Sequence, residues 1–355
     1  MVAGRQEEVP WDLFDRCLLP VVFSHAAAVI ISSVLNLLSV SRASTFAVFL
    51  WLLVAVLAAV FFYHNLKVTV AGKALLITGC ESPLGYTAAR HLDELGFTVF
   101  AGFAALGDRS RRLKEAASGR LHVLQLDVSR ESDVQAALQY VLAHLPPGAA
   151  GLWAVVNNAS WSPFGEVEWV PFSVYRRAVD VNLLGVVRVS QAFLPLLRRT
   201  KGRVINMASI QGRIPSPFKS AHCLVKAAVE AFSECLRLEM RRWGVDVIIV
   251  EPGNCTSWSG VSDEEVLSQA RDMWRAMSDE LRAEYGEDCF EQQVLRLRHA
   301  VRSQTSDCSA VLSSLTDAAS RTFPMPRYTP VTWSEKLQAL VATHLPRSVY
   351  DVLYT

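Results

Sequence analysis

The sequence predicts an α/β chain in which a doubly wound parallel sheet follows an N-terminal helical membrane anchor. Two observations predict it. Residues 18–40 and 45–63 are almost wholly apolar. From residue 73 onward, short β-rich apolar runs alternate with amphipathic stretches, which is typical of repeated βαβ units. The chain of 355 residues is long enough to bury the core of such a sheet.

The anchor is predicted from the two apolar segments. The second carries no charge over about twenty residues, enough to cross a bilayer as a helix. The first contains Pro20 and several polar side chains, and it is compatible with a span, a re-entrant segment or an interfacial helix. Four acidic residues among the first fifteen argue against a mitochondrial presequence. Lys67 and Lys73 favour a large domain on the cytosolic side. We expect the endoplasmic reticulum membrane, with a mitochondrial membrane as the alternative.

Six β-rich runs follow the anchor. In order they read KALLITG, FTVFAGF, LHVLQLDV, GLWAVVNNA, GRVINMAS and VDVIIVEPG, and amphipathic stretches that include 172–199 and 222–243 separate them. In a doubly wound sheet of this Rossmann kind, a ligand lies at the carboxyl ends of the strands, with its pyrophosphate at the first turn and the following helix N-terminus. The first turn is TGCESPLG, 78–85. A glycine-containing turn alone is a weak signal, and its place at the head of the alternation strengthens it.

The charges and the cysteines exclude other classes of site. The 35 Lys and Arg residues balance 34 Asp and Glu residues to a net charge of +1, so no nucleic-acid partner is predicted. The seven cysteines form no CxxC pair and no regular spacing with histidine. We therefore predict neither a metal site nor a disulfide framework.

Five motifs, in their order and separation, resemble the short-chain dehydrogenase/reductase family. TGCESPLG resembles its cofactor loop TGxxxGxG, NNAS (157–160) its NNAG, VNLLG (181–185) its VNxxG, MAS (207–209) its catalytic-serine strand and EPG (251–253) its PG turn. Segments such as VEAFSECLRLEM resemble the hydroxybutyrate, retinol and 17β-hydroxysteroid dehydrogenases of membranes. The resemblance covers Gly72 to the C-terminus, and it implies an oxidoreductase that interconverts a secondary alcohol and a ketone.

The resemblance also implies a role for each matching position. Ser209 bonds the substrate oxygen, Asn182 steadies a proton-relay water, and Lys226 holds the nicotinamide ribose. His222, thirteen residues after Ser209, stands where the family has its acid/base tyrosine. The implied cofactor-binding residues are Gly79, Ser82, Gly85, Asp127 (at the adenine), Asn157, Lys226, Pro252, Gly253 and Thr256 (at the carboxamide). The implied substrate residues are Lys219 and Gln211.

Three departures fall on the motifs themselves. Pro83 replaces the middle glycine of the loop, Ser160 the last glycine of NNAG, and His222 the tyrosine. Proline lacks an N–H for the pyrophosphate, yet it suits the first position of a helix. Imidazole is a competent base near neutral pH, and Lys226 favours its neutral form. Its ring nitrogen reaches roughly 2 Å less far than a phenol oxygen, so a bridging water, a slow reaction and a retired active site all stay open.

Substrate and cofactor choice depend on a few charged residues. An ammonium at Lys219 pairs with a carboxylate and favours a 3-hydroxybutyrate-like acid over a steroid or retinoid, whereas the alternative is a solvated loop lysine. The second strand ends without an acid to hold ribose hydroxyls, and Arg109, Arg111 and Arg112 come late for a 2′-phosphate. The resemblance favours NAD, and NADP stays open.

The predicted organisation has three parts. These are a membrane anchor at 1–66, a cofactor-binding and catalytic core at 67–258, and a helical substrate lid and extension of the same domain at 259–355. In the last part, TFPMPRYTP is predicted as a loop and 331–343 as the last helix. Trp258, Met273, Trp274 and Met277 are interpreted as core residues from their helical spacing, with a substrate entrance as the alternative.

Two functions are compatible with these residues. One is a membrane-anchored oxidoreductase acting on a small molecule. The other is a catalytically impaired relative that serves as a nucleotide-binding scaffold or regulatory subunit. In the family, the helices that contain LLGVVRVSQAFLPLL and CLVKAAVEAFSECLRLEM form the dimer, so we expect a homodimer or homotetramer.

Overall fold

The computed structural model describes residues 11–39, 44–253, 263–302 and 309–354. They fall into two compact units. One comprises the chain up to Thr69 together with Ser320–Met325, and the other comprises Val70–Ala319 and Pro326–Thr355. The predicted boundary between core and lid, at residue 258, falls outside the described residues.

The first unit contains two long apolar helices, α1 (Trp11–Leu37) and α2 (Thr45–Asn65). Pro20 lies inside α1. A hydrogen bond of 2.8 Å between the hydroxyls of Ser32 and Thr45 joins the two helices, and the side chains of α2 stay at least partly exposed throughout. Both helices are long and apolar enough to cross a membrane. The structure thus confirms the apolar helices predicted for the anchor.

The second unit is built on a seven-stranded sheet in the order β3-β2-β1-β4-β5-β6-β7. Neighbouring strands run parallel throughout, which confirms the predicted doubly wound sheet. Because β1 lies between β2 and β4, the strand order reverses there, and the carboxyl ends of β1 and β4 mark the ligand-binding edge. The strands are β1 (Ala74–Ile77), β2 (Thr98–Phe103), β3 (Leu121–Gln125), β4 (Ala154–Asn157), β5 (Arg203–Met207), β6 (Asp246–Val250) and β7 (Arg327–Tyr328).

Helices connect the strands and supply the core. One core cluster packs Val189, Phe193 and Leu197 of α7 with Val155 of β4 and Val204 of β5. The segment 172–200 also has the length and apolarity of a membrane span, and its buried side chains in this cluster explain that composition. The helices are α3 (Pro83–Glu94), α4 (Asp108–Ala116), α5 (Glu131–Ala143), α6 (Phe172–Val179), α7 (Gly185–Thr200) and α8 (Ser220–Met240).

The C-terminal part adds further helices. Met273 and Met277 are buried, and Trp274 packs against Trp169 and Phe290. This confirms the interpretation of these three residues as core, and Trp258 lies outside the described residues. The predicted last helix corresponds to α13, and α14 follows it without a prediction. These helices are α9 (Asp263–Ala276), α10 (Asp279–Tyr285), α11 (Glu287–Arg302), α12 (Ser309–Ser320), α13 (Trp333–His344) and α14 (Arg347–Tyr354).

Most of TFPMPRYTP is a loop as predicted, and only the two residues of β7 depart from that prediction. Arg327 and Tyr328 pair with Ile249 and Val250 of β6. Two residues are too few for a period of alternation to show in the sequence. The free edge of β6, which is a tertiary feature, determines this pairing.

Candidate active site

The first turn brings the end of β1 against the end of β4. Gly79 has a φ of +71°, and a Cβ on it would lie 2.5 Å from Ala159 Cα. A Cβ on Gly85 would lie 2.4 Å from the Gly79 carbonyl oxygen. Asn158 closes the arrangement, because its Nδ2 donates to the carbonyl oxygens of Thr78 and Gly79, both at 3.0 Å. Close backbone approach therefore requires glycine at both positions.

Gly79→Ala is expected to destabilise the second unit by about 3 kcal/mol or more, because a positive-φ cost of about 1 kcal/mol adds to a backbone clash. Gly72→Ala is the matched control, since Gly72 has a φ of +75° and nothing lies within 4 Å of an added Cβ. Denaturant unfolding of both variants beside the wild type measures the difference. Equal destabilisation of the two variants would contradict the tight contact at Ala159.

The start of α3 fits a pyrophosphate. Ser82 caps the helix by accepting from the Gly85 N–H at 3.1 Å, and Pro83 occupies the first helical position. Within the described part of the chain, the N–H groups of Glu81 and Leu84 make no hydrogen bond. These donors at a helix N-terminus suit an anion, with one donor fewer than a glycine at position 83 would supply. The turn therefore fits the diphosphate of a dinucleotide such as NAD or NADP.

Hydrogen bonds join the predicted catalytic residues through neighbouring segments. Lys226 on α8 donates from Nζ to the Met207 carbonyl oxygen at 2.7 Å. Met207 ends β5, two residues before Ser209. His222 lies one turn before Lys226 on α8, and its Nδ1 is 3.3 Å from Ser162 Oγ. The end of β5, the start of α8 and the loop after β4 thus meet in one region.

Asn182 is connected to the same loop. It lies in a π-helical turn, Asp180–Leu184, between α6 and α7. Its Oδ1 accepts from the Trp161 N–H at 2.7 Å, and its Nδ2 donates to the Trp161 carbonyl oxygen at 2.6 Å. Because Trp161 immediately precedes Ser162, Asn182 fixes the backbone that carries the hydrogen-bond partner of His222. Such π-helical turns are frequent at functional sites, and this one interrupts the helix predicted over 172–199.

Ser209 is held at the start of a short 3₁₀ turn, Ile210–Gly212. Its side chain is buried. The Oγ accepts from the Gln211 N–H at 3.2 Å and donates to the Pro252 carbonyl oxygen at 3.4 Å. The second of these bonds is long. Backbone groups therefore position the hydroxyl, and the hydrogen bond that it donates is weak.

Burial and nearby positive charge govern protonation in the site. The pKa of His222 is held well below its ordinary value of 6.5, first by burial and then by the charges of Lys226 and Lys219. Burial also lowers the pKa of Lys226 to about 8 and that of Lys219 to about 8. At neutral pH, His222 is therefore a neutral base, and both lysines are mostly cationic.

Lys219 immediately precedes α8. Its side chain is buried, and its Nζ lies 5.6 Å from the centre of the Phe164 ring. The preceding residue, Phe218, has a φ of +62°, which is strained for a residue other than glycine. The Phe218 carbonyl oxygen accepts from the Gly165 N–H at 2.9 Å, which helps to hold that backbone. A buried ammonium at this position attracts negatively charged groups.

The other predicted cofactor residues follow their strands. Asp127 comes after β3, and its Oδ1 accepts from the Ser129 N–H at 3.0 Å. Asn157 ends β4 and donates to Asn206 Oδ1 at 2.8 Å. Thr256 lies outside the described residues. The roles of these residues toward a cofactor stay predictions.

The turn after β6 is supported from two sides. Glu251, just before it, is fully buried and pairs with Arg213 at 3.1 Å and with Arg327. A Cβ on Gly253 would lie 2.7 Å from an oxygen of the Glu335 carboxylate. A larger residue at position 253 would therefore displace the Glu335 carboxylate of α13.

The sequence motifs do not single out two side chains that matter for this geometry. Asn158 belongs to the NNAS motif, but nothing in the motif shows that its amide holds the first turn. Ser162, the hydrogen-bond partner of His222, has no sequence signal at all, because its position depends on how the loop after β4 folds over α8.

The comparisons with known proteins agree with this geometry. The family described as short chain dehydrogenase matches residues 73–265. The chain is 39% identical over 289 residues to D-beta-hydroxybutyrate dehydrogenase, mitochondrial, of Rattus norvegicus, which covers 80% of this chain and 84% of the relative. The chain belongs to the short-chain dehydrogenase family.

Two further relatives of this short-chain dehydrogenase are similar over most of their length. Retinol dehydrogenase 16 of Mus musculus is 37% identical over 284 residues, covering 79% of this chain and 87% of the relative. Estradiol 17-beta-dehydrogenase 2 of Mus musculus is 35% identical over 281 residues, covering 79% and 73%. The resemblance inferred from the five motifs is thereby confirmed.

Membership of the family places the chain among the oxidoreductases that use NAD or NADP on small molecules. The apolar N-terminal helices support membrane association. That His222 occupies the place of the family's tyrosine stays a prediction from motif spacing. The chemical competence of the site therefore depends on what an imidazole can do there.

Proposed function

We propose that this short-chain dehydrogenase is membrane-anchored, uses NAD, and interconverts a 3-hydroxybutyrate-like hydroxy acid and its keto acid. The observation that carries the proposal is the buried ammonium of Lys219, whose charge acts on His222 three residues away. A substrate carboxylate is attracted by a buried ammonium, whereas a neutral steroid or retinoid gains nothing from it.

The side chains divide the work as follows. The nicotinamide supplies the hydride acceptor or donor when it is bound. The Ser209 hydroxyl donates to the substrate oxygen. The His222 imidazole, whose Nδ1 faces Ser162, has Nε2 left to take the alcohol proton directly or through one water. Burial, and after it the charges of Lys226 and Lys219, lower the pKa of His222 and keep the imidazole in the neutral form that can accept a proton.

A second candidate is a relative that binds the nucleotide without turnover and works as a scaffold or regulatory subunit. His222 favours it, because its ring nitrogens reach roughly 2 Å less far than a phenol oxygen. Pro83 favours it as well, since it removes one donor from the phosphate-binding turn.

Binding and turnover together test the proposal. The full-length protein in nanodiscs is titrated with NADH, and turnover is then measured with 3-hydroxybutyrate and with a neutral secondary alcohol such as 2-butanol. We expect NADH to bind and the hydroxy acid to be the better substrate. Binding without turnover of either alcohol would favour the scaffold. Absence of binding at millimolar NADH would exclude the enzyme.

Lys219→Met is expected to raise the KM for the hydroxy acid by about 10- to 100-fold, because a hydrogen bond to a charged group contributes about 1.5–3 kcal/mol. The values for the neutral alcohol should stay within about twofold. Lys114→Met, which changes an exposed lysine of α4, is the control. Equal losses with both alcohols would show that Lys219 does not bind the carboxylate.

The same lysine predicts a pH dependence. Lys219 is cationic below its pKa of about 8 and neutral above it, and only the cation attracts a carboxylate. In the wild type, kcat/KM for the hydroxy acid should therefore fall as the pH rises through about 8. Because Lys226 titrates near the same pH, the ratio of kcat/KM for the hydroxy acid to that for 2-butanol is the measured quantity. A constant ratio from pH 7 to 9.5 would contradict the assignment.

The location and the assembly are also proposed. We favour the endoplasmic reticulum membrane with a cytosolic catalytic unit, and a mitochondrial membrane is the alternative. A homodimer or homotetramer is supported by α8, which leaves Leu224 and Leu238 more than half exposed (51% and 64%). Membrane fractionation and size-exclusion chromatography with light scattering test the two proposals separately.

A further inference from the structure

The carboxyl end of β2 carries an acid that the β2 sequence itself lacks. In dinucleotide-binding sheets, an acid at this strand end binds the ribose hydroxyls of NAD. Here β2 ends at Phe103, and the residues after it offer no carboxylate before Asp108. The Glu81 carboxylate, from the first turn, accepts instead from the Ala104 N–H at 3.3 Å. An acid therefore lies at the first residue after β2, although it comes from another segment of the chain.

One arginine contacts the backbone of Glu81, and a second arginine lines a pocket beside the first turn. Arg109 donates from Nη1 to the Glu81 backbone carbonyl oxygen, so α4 reaches back to the first turn. Whether Arg109 also reaches a 2′-phosphate stays a prediction. A pocket of about 390 Å³ opens beside the turn. It is lined by Pro83, Tyr86, Thr87, Asp108, Arg109 and Arg112.

We propose that Glu81 is the residue that selects NAD against 2′-phosphorylated nucleotides, by accepting from the ribose 2′-hydroxyl and repelling a phosphate attached to it. The inference rests on the proposed nucleotide-binding function. A carboxylate close to a 2′-phosphate opposes binding through like charge. Arg109 and Arg112 have the opposite effect on that phosphate. The preference therefore depends on Glu81, and its neutralisation should uncover the attraction of the arginines.

The test uses nucleotide halves, so it needs no turnover. The full-length protein in nanodiscs is titrated calorimetrically with ADP and with 2′,5′-ADP. We expect the wild type to bind ADP at least about tenfold more tightly, which corresponds to about 1.4 kcal/mol of repulsion at the 2′ position. Glu81→Gln should bring the two affinities within about threefold. The increase in the affinity of Glu81→Gln for 2′,5′-ADP should become smaller as salt is added, because salt screens the attraction between the arginines and the 2′-phosphate.

Two further variants sharpen the result. Glu94→Gln makes the same charge change at the far end of α3, where Glu94 is exposed and pairs with Arg90 at 2.8 Å, and it should leave the ratio of affinities unchanged. Arg112→Gln, added to Glu81→Gln, should remove most of the gain for 2′,5′-ADP. A gain that persists in the double variant would overturn the part assigned to Arg112.

The outcomes separate the inference from the proposed function. If Glu81→Gln keeps the wild-type ratio, the selective role of Glu81 is wrong while nucleotide binding stands. If Glu81→Gln weakens the binding of both nucleotides equally, the carboxylate only holds the backbone at Ala104, and the inference is again overturned. If neither nucleotide binds to any variant at millimolar concentration, the proposed function fails and the inference fails with it.

Discussion

His222→Ala is expected to lower kcat for the hydroxy acid by about 10²- to 10⁴-fold with little change in KM, because positioned proton transfer contributes about that much to a rate. The imidazole is neutral in the folded protein, since burial and two lysine charges keep its pKa well below 6.5. It is therefore in the form that accepts the alcohol proton. Alanine removes the base and leaves Lys226, Ser209 and the nucleotide-binding turn in place.

The variant His222→Tyr distinguishes a catalytic His222 from an active site that has lost its activity. If histidine is the base, kcat for oxidation by the wild type should stay nearly constant from about pH 6 to 7, below the pKa of about 8 of the two lysines, because the imidazole is already deprotonated. Tyrosine has an ordinary pKa of about 10, so the rate of His222→Tyr should still rise with pH in the same range. The measurement is NADH formation across pH for wild type, His222→Ala and His222→Tyr.

A control variant at Ser162 changes the surroundings of His222 and leaves the imidazole in place. Ser162→Ala removes the hydroxyl 3.3 Å from His222 Nδ1 and should lower kcat by less than His222→Ala does, since it changes only the orientation of the ring. A His222→Ala variant as active as the wild type would show that histidine is not the base. A wild type that lacks turnover and gains it in His222→Tyr would establish a scaffold descended from an enzyme.

Most of the sheet could be predicted because its strands carry a local signal. β1 and β2 are buried along their whole length, and buried parallel strands read as continuous apolar runs. The strand β7 carries no such signal, since its two residues pair only because β6 has a free edge. The same limit applies to the helix predicted over 172–199. Its apolar period continues through the π-helical turn at Asp180–Leu184, and the turn itself leaves no trace in that period.

In the candidate site, too, some residues could be predicted from the sequence and others could not. Ser209, His222 and Lys226 could be placed from motif spacing, because α8 fixes the interval between the last two and β5 ends just before the first. Contacts between loops could not be predicted in this way. Glu81 is an example, since only the fold brings its carboxylate to the N–H of Ala104, which lies 23 residues away in the sequence. Motif spacing thus places residues on elements, and tertiary structure decides which charges meet.

Lys226→Met is expected to abolish measurable turnover and, at the same time, to raise the stability of the second unit by about 1–2 kcal/mol at pH 7. Burial lowers the pKa of Lys226 from its ordinary 10.5 to about 8, so holding the ammonium in the folded chain costs about 3 kcal/mol below that pH. Methionine removes that cost. It also removes the 2.7 Å hydrogen bond to the Met207 carbonyl oxygen, and the loss of this bond from a charged donor offsets about 1–2 kcal/mol of that gain.

The pH dependence of stability identifies the source of this gain. Between pH 8 and 10.5 the unfolded chain keeps a proton on Lys226 that the folded chain releases, so the free energy of unfolding of the wild type should rise with pH in that window. Lys219, whose pKa is also about 8, contributes in the same direction. Lys226→Met and Lys219→Met should each remove about half of the rise, and the double variant should remove nearly all of it.

Thermal unfolding of the full-length protein in nanodiscs at pH 7, 8.5 and 10 measures how the stability of each variant changes with pH. If the double variant keeps the full rise in stability with pH, burial does not destabilise the charged form of either lysine in the folded protein. A rise that vanishes while Lys226→Met stays inactive shows that the site keeps a destabilising charge for its function.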